Sequence, residues 1–260
     1  MLTKAISPSL ECDCIIFDLE DSVPLDQKEN ARKLVREILK ELGKEKKQIC
    51  LRINRLDSAL SKSDIQSFAN EDAIENFVVP KAEQKTIRTL FGRTGKKIIP
   101  IIETPMGFLH MEEIAQSKGV DALAFGAADM ALSMKGSVES YENNDYIRTL
   151  LAIVARGYGI DPIDQVFFDL NNPEAFRKEA MKAKNFGYSG KLLIHPSQVR
   201  MANEIFSSWS SDQLTWAKRV VDAYESSLNA GARGAIRLNG QLIDAVHYKL
   251  AKDILGKNAG

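Results

Sequence analysis

The sequence predicts an α/β fold of the (β/α)8 TIM-barrel type that lacks its first strand and carries a C-terminal extension of helices and a hairpin. Three observations predict it. Short β-rich runs are continuously apolar, the pattern of strands buried on both faces of a parallel sheet. Amphipathic helical stretches separate these runs, which makes repeated βα units. After residue 206 the repeat stops, and a helix, a hairpin and a further helix follow.

Each element has its own justification. Residues 13–21 (DCIIFDLED) form the first strand. Residues 26–42 form a helix, with Asp26 and Glu29 at capping-box spacing, Ala31, Leu34, Val35, Ile38 and Leu42 on one face, and Gly43 as the stop. Further strands fall at 48–54 (QICLRIN), 76–81 (NFVVPK), 97–103 (KIIPIIE), 122–126 (ALAFG), 165–170 (QVFFDL) and 191–196 (KLLIHP). Helical stripes run through 108–118, 144–158 and 173–185. Seven units stand where a barrel of about 250 residues needs eight. The shortfall lies at the front, where about a dozen residues precede the first strand. At the back, a helix over 212–228 leads to Asn239-Gly240, a strong hairpin signal, and then to a helix over 244–255. No Pro/Ser-rich linker separates the parts. Residues 1–206 are expected to form the barrel and 207–260 the extension, which is long enough to reach a neighbouring subunit.

Composition narrows the function classes. The chain has 260 residues, 44% hydrophobic and 27% charged, and its 35 basic and 35 acidic residues cancel. Such a chain has ample core, and it lacks the basic excess of a general nucleic-acid binder. No apolar run reaches the roughly 18 residues of a membrane span. Three cysteines, Cys12, Cys14 and Cys50, make no disulfide framework and point to a reducing compartment, most simply the cytoplasm. His110, His195 and His247 lack zinc-ligand spacing. Neither a nucleophile elbow (Gly187-Tyr188-Ser189-Gly190 does not fit) nor a P-loop is present.

In parallel barrels the chemistry sits at the C-terminal ends of the strands. Here those ends read Asp18-Leu-Glu20-Asp21, Arg52-Ile-Asn54, Pro80-Lys81, Glu103-Thr104, Gly126-Ala127-Ala128-Asp129 and His195-Pro196. Glu103 and Asp129 lie one βα unit apart, so their strands should neighbour at about 4.8 Å. Two readings stand: both carboxylates share a cation, for which hard oxygen donors suit Mg2+ over Zn2+, or each caps the helix behind it. Arg52 offers a bidentate fork for a substrate carboxylate, or else pairs with Glu20 or Asp21. The backbone amides of Ala127, Ala128 and Asp129 open a helix and suit an anion.

The ordered set FDLEDSV, LRIN, VPKAE, IIPIIETPMG, ALAFGAADM, GYSGKLLIHPSQV and NGQLIDA resembles the citrate lyase β-subunit (CitE-like) branch of the HpcH/HpaI aldolase family across nearly the whole chain. The resemblance implies a Mg2+-dependent carbon–carbon lyase, usually a trimer. Such an enzyme cleaves or forms small hydroxyacyl thioesters of CoA or of an acyl carrier, such as citryl-, malyl- or citramalyl-CoA, with an acyl-CoA or acyl-carrier thioester and an oxo acid as products. Glu103 and Asp129 match its metal ligands, Arg52 its substrate arginine, and Glu20 and Asp21 an acidic pair beside the metal. Asp244 matches an aspartate that serves as acid/base from a neighbouring subunit, and it also stands where the last helix needs an N-cap. Lys4 matches a basic residue that contacts the nucleotide. The family's opening strand, resembling SxLFVPG, has no counterpart, and Val246-His247 stands where relatives carry a proline. Two alternatives remain: a 2-oxo acid aldolase of the wider family, whose members favour a histidine-containing ending where this chain has DLED, and a non-catalytic subunit that binds a thioester or a partner.

Overall fold

The computed structural model describes residues 10–42, 47–207, 209, 211–231 and 234–256. Within the first of two compact units, residues 1–202, seven parallel strands pair strictly in chain order. They are β1 Cys14–Asp18, β2 Gln48–Arg52, β3 Asn76–Val79, β4 Lys97–Ile102, β5 Ala122–Phe125, β6 Asp161–Asp164 and β7 Gly190–Lys191. The predicted parallel α/β architecture is therefore present as a curled, open sheet with helices around it. Strands β3 and β5 are buried at every residue, because a parallel sheet is covered on both faces.

Side-chain alternation fixes what faces inward. Cys50, Val78, Ile101 and Ala124 cluster on the inner face with Cys14, Ile16, Ile99, Ile163 and Leu192. One step of two further along the same face come Asp18 after Ile16, Arg52 after Cys50, Glu103 after Ile101 and Gly126 after Ala124. The polar groups at the strand ends thus continue the lining of the sheet's interior.

Some expectations fail, each for a physical reason. The sixth strand is Asp161–Asp164 and not residues 165–170. Pro162 and two aspartates read as strand breakers, yet buried Asp164 is satisfied by Arg148 (2.9 Å) and Lys191 (2.8 Å). Phe168 and Leu170, expected inside, are exposed. The seventh strand ends at Lys191, where the chain bends toward His195, whose Nδ1 caps the short turn Pro196–Gln198.

The predicted capping box at Asp26 does not form, since a 3-10 turn at Leu25–Gln27 precedes helix α1, Lys28–Leu42. In α1 the buried stripe runs through Arg32, Val35, Ile38 and Leu39, and Leu34 is exposed. The face turns because Arg32 is drawn inward by fully buried Asp64 at 2.7 Å. The helix expected over 108–118 is two short ones, Pro105–Leu109 and Met111–Ala115, broken at His110.

The second unit, residues 203–260, is held by its own core. Helix Ser211–Asn229 packs Ala217, Val220, Val221 and Tyr224 against Ile243, Ala251 and Ile254, and Tyr224 stacks on Tyr248 at 4.8 Å. The predicted hairpin joins β8 Ile236–Leu238 to β9 Gln241–Ile243, with Asn239 at φ 48° and Gly240 at φ 81°. Positive φ at both turn residues suits the right-handed twist of the two strands. The boundary between the units falls inside the helix Val199–Phe206.

Candidate active site

Five strand ends bring their side chains together. The ladder continues past the strands: Leu19 N–H donates to Arg52 O (2.9 Å), Ile53 to Val78 O (3.2 Å) and Gly126 to Ile102 O (3.1 Å). These bonds hold DLED beside LRIN, LRIN beside the end of β3, and GAAD beside IET. Two buried anchors fix the first pair. The Lys28 ammonium donates to the carbonyls of Leu19 (2.7 Å) and Glu20 (2.6 Å). Asp64 accepts from both the backbone and the side chain of Asn54, at 2.8 and 2.7 Å.

Arg52 lies opposite Asp18 in the parallel register and forms a two-pronged bond to it, Nε at 2.7 Å and Nη2 at 2.6 Å. Its Nη1 lies 3.2 Å from Glu20 Oε2, within ion-pair range but without hydrogen-bond alignment. The partner of the fork is therefore Asp18, with Glu20 beside it. Asp21 is exposed, and its charge reaches Glu20 and Arg52 only at a distance. Against the desolvation of its burial, the Arg52 bonds hold the Asp18 carboxyl below its ordinary range. Desolvation pushes Glu20 up despite the nearby Arg52 and Lys81 cations.

Glu103 is only 4% exposed, and it does not cap the helix behind it. Thr104 does that, accepting from Gly107 N–H at 3.0 Å. Glu103 Oε1 instead accepts from Lys81 N–H at 2.8 Å. Burial first, and the charge of Asp129 second, push its carboxyl up to about 8. Asp129 sits in the first turn of helix Ala127–Met134, whose N-cap, Gly126, supplies no side-chain bond. The opening amides at Ala127 and Ala128 thus have no capping side chain, which leaves them available to an anionic ligand. A Cβ at Gly126 would fall 2.5 Å from Glu103 Oε2, so only glycine lets the helix start approach the carboxylate this closely.

Lys81 was visible in the sequence only as a strand ending, and its role depends on φ and register. With φ 47° it occupies the left-handed region, which non-glycine residues enter at a cost. Its Nζ lies 3.0 Å from Asp129 Oδ1 and 3.4 Å from Glu20 Oε1. Asp18 was missed as the partner of Arg52 because strand register cannot be read from one sequence. Lys4 lies outside the described residues.

The residues fit a divalent cation with a partial protein coordination shell. Two hard carboxylates stand at adjacent strand ends, one buried and strongly unfavourable as an uncompensated charge, beside a cradle that a Cβ would fill. Among the described residues no group of three or more His, Cys, Asp or Glu is gathered as a ready ligand set. Mg2+ is commonly bound through one or two carboxylates and keeps several waters, and Glu103 and Asp129 supply two such carboxylates. Asp244, in the second unit, caps the last helix, Ala245–Gly256. Its Oδ1 accepts from Val246 N–H (3.0 Å) and His247 N–H (3.2 Å) and lies 2.6 Å from His247 Nδ1. Bonding to His247 holds this carboxyl below its ordinary range.

Fold and site define a class: α/β-barrel-type enzymes that work at the C-terminal ends of their strands with carboxylates, a guanidinium and helix-start amides. Residues 2–196 match the family model HpcH/HpaI aldolase/citrate lyase, and the chain belongs to that family. It is 27% identical to mitochondrial citramalyl-CoA lyase of Rattus norvegicus, over 95% of this chain and 80% of the relative. It is 32% identical to citrate lyase subunit beta of Haemophilus influenzae, over 94% of this chain and 88% of the relative. Among solved structures, protein CitE from Mycobacterium tuberculosis in complex with magnesium, acetoacetate and coenzyme A superposes with a TM-score of 0.82. That match has 26% identity and covers 96% of this chain and 91% of the other.

Proposed function

We propose that this chain is a Mg2+-dependent carbon–carbon lyase acting on a small hydroxyacyl thioester of the citryl-, malyl- or citramalyl-CoA kind, releasing an acyl thioester and an oxo acid. The observation that carries the reading is the pairing of buried Glu103 with Asp129 at neighbouring strand ends. Relatives named citramalyl-CoA lyase and citrate lyase subunit beta, and the CitE structure complexed with magnesium, acetoacetate and coenzyme A, support it.

Glu103 and Asp129 would hold the ion. When bound, it supplies Lewis-acid polarisation of the carbonyl that receives or loses the carbon. The amides of Ala127, Ala128 and Asp129 orient the oxo-acid oxygens at the helix start. Arg52, steadied by Asp18, presents Nη1 beside Glu20 and binds the substrate carboxylate there. Glu20 and Asp21 hold the acidic edge of the site. Asp244 moves the proton on the thioester side, delivered by the tail of a second subunit in a homotrimer. Lys4 meets the nucleotide, and the setting is the cytoplasm. Among the described residues no helix is long and apolar enough to cross a membrane.

The test is turnover. Purified protein is incubated with citramalyl-, malyl- and citryl-CoA, with and without MgCl2, and the oxo acid is trapped as its phenylhydrazone. Release that depends on Mg2+ and disappears in Glu103→Gln is expected. Intact Mg2+ and thioester binding without release from any member of the panel would return the chain to the non-catalytic binding subunit.

A further inference from the structure

Among the described residues, Lys81 touches Glu103, Asp129 and Glu20, three of the four carboxylates that line the site, the fourth, Asp18, being held by Arg52. Its backbone N–H donates to Glu103, while its ammonium lies 3.0 Å from Asp129 and 3.4 Å from Glu20. The side chain is only 19% exposed. Its backbone, at φ 47° in the turn after Pro80, lies in the left-handed region, which a lysine enters at a cost. Strained conformations of this kind persist only when the surroundings over-determine them, and here the bonds to Glu103, Asp129 and Glu20 do so.

Electrostatics then sets a conflict. A divalent ion taking Asp129 as a ligand would stand next to an ammonium that already bonds the same carboxylate. Two cations cannot share those oxygens at contact distance without strong repulsion. Glu20 offers the ammonium a second place. It is buried, its Oε1 is already within reach, and its Oε2 accepts no aligned hydrogen bond.

Resting on the magnesium reading above, we propose that Lys81 is a built-in counter-ion: its ammonium stands in for the divalent cation on Asp129, and passes to Glu20 when the cation arrives. Lys81 is thus a positioning residue that sets metal affinity and keeps the metal-free site folded. Its backbone N–H keeps Glu103 aimed in both states and survives any substitution other than proline.

The experiment titrates Mn2+ alone, followed by electron paramagnetic resonance and calorimetry, into wild type, Lys81→Met and Lys81→Gln. Thermal melts with and without metal accompany each titration. The glutamine variant keeps a neutral donor in case the methionine variant folds poorly. Removing the competing charge should tighten Mn2+ binding roughly tenfold or more. The metal-free melting temperature should drop, and saturating Mn2+ should close most of that gap. Glu20→Gln, which removes the second place, should instead weaken Mn2+ binding in a lysine background and do far less in Lys81→Met. Mn2+ binding that is unchanged or weaker in both Lys81 variants, while wild type binds normally, overturns the counter-ion role and leaves the metal site standing. Absence of any stoichiometric Mn2+ binding to wild type overturns the site reading and the inference together.

Discussion

Glu103 should make the metal-free protein less stable as pH rises, the reverse of an ordinary carboxylate. Its carboxyl is pushed up from the ordinary 4.5 to about 8, by burial first and then by the charge of Asp129. In free-energy terms the ionised form is disfavoured by on the order of 5 kcal/mol relative to the unfolded chain. The folded state keeps its proton up to about pH 8, while the unfolded chain loses it near its ordinary value. Over that interval the folded state binds more protons, so stability falls with increasing pH and levels off above it. Glu103→Gln is neutral throughout and should abolish this slope. The assay compares urea and thermal unfolding of both proteins from about pH 5 to about pH 9, with and without MgCl2. Metal-free wild type should lose stability relative to the glutamine variant as pH rises. Mg2+ should reverse the trend in wild type alone, because it binds the ionised carboxylate, and its affinity should climb with pH up to about 8. A constant difference between the two proteins across the whole range would refute the reasoning, since Glu103 would then be charged and compensated without metal.

The other predictions address neighbouring parts of the site. Gly126→Ala places a Cβ 2.5 Å from Glu103 Oε2, so the carboxylate must move; about 1–3 kcal/mol of stability should be lost together with most Mg2+ affinity, and calorimetry showing normal affinity would refute the close-approach argument. Arg52→Lys removes the fork on Asp18, so a stability loss of about 1–3 kcal/mol should accompany the loss of oxo-acid affinity; reduced stability with unchanged affinity would confine Arg52 to a structural role. Asp244→Asn should spare Mg2+ and oxo-acid binding while slowing turnover roughly 10²–10⁴-fold. Mixing it with Glu103→Gln should restore activity through hybrid oligomers, and verified subunit exchange without recovery would remove proton transfer in trans.

The sequence by itself determined the parallel α/β order, because strands buried on both faces must be apolar throughout and helices must carry a stripe. It also showed charged residues at the ends of the apolar runs, Asp18, Arg52 and Glu103 directly after them and Asp129 in the helix start that follows one. The Asn239-Gly240 hairpin was equally legible, its backbone demanding residues that accept positive φ. Tertiary structure decided the rest. The sixth strand, Asp161–Asp164, contradicts local propensity because Arg148 and Lys191, from a helix and the next strand, compensate its buried aspartate. Arg32 turned the first helix about its axis for the same reason, drawn in by Asp64. Register placed Arg52 opposite Asp18, and a left-handed φ aimed both the N–H and the ammonium of Lys81 at the carboxylates. Periodicity reports which face is apolar. It carries no information on which buried charge finds which partner, because that choice is made between residues tens of positions apart.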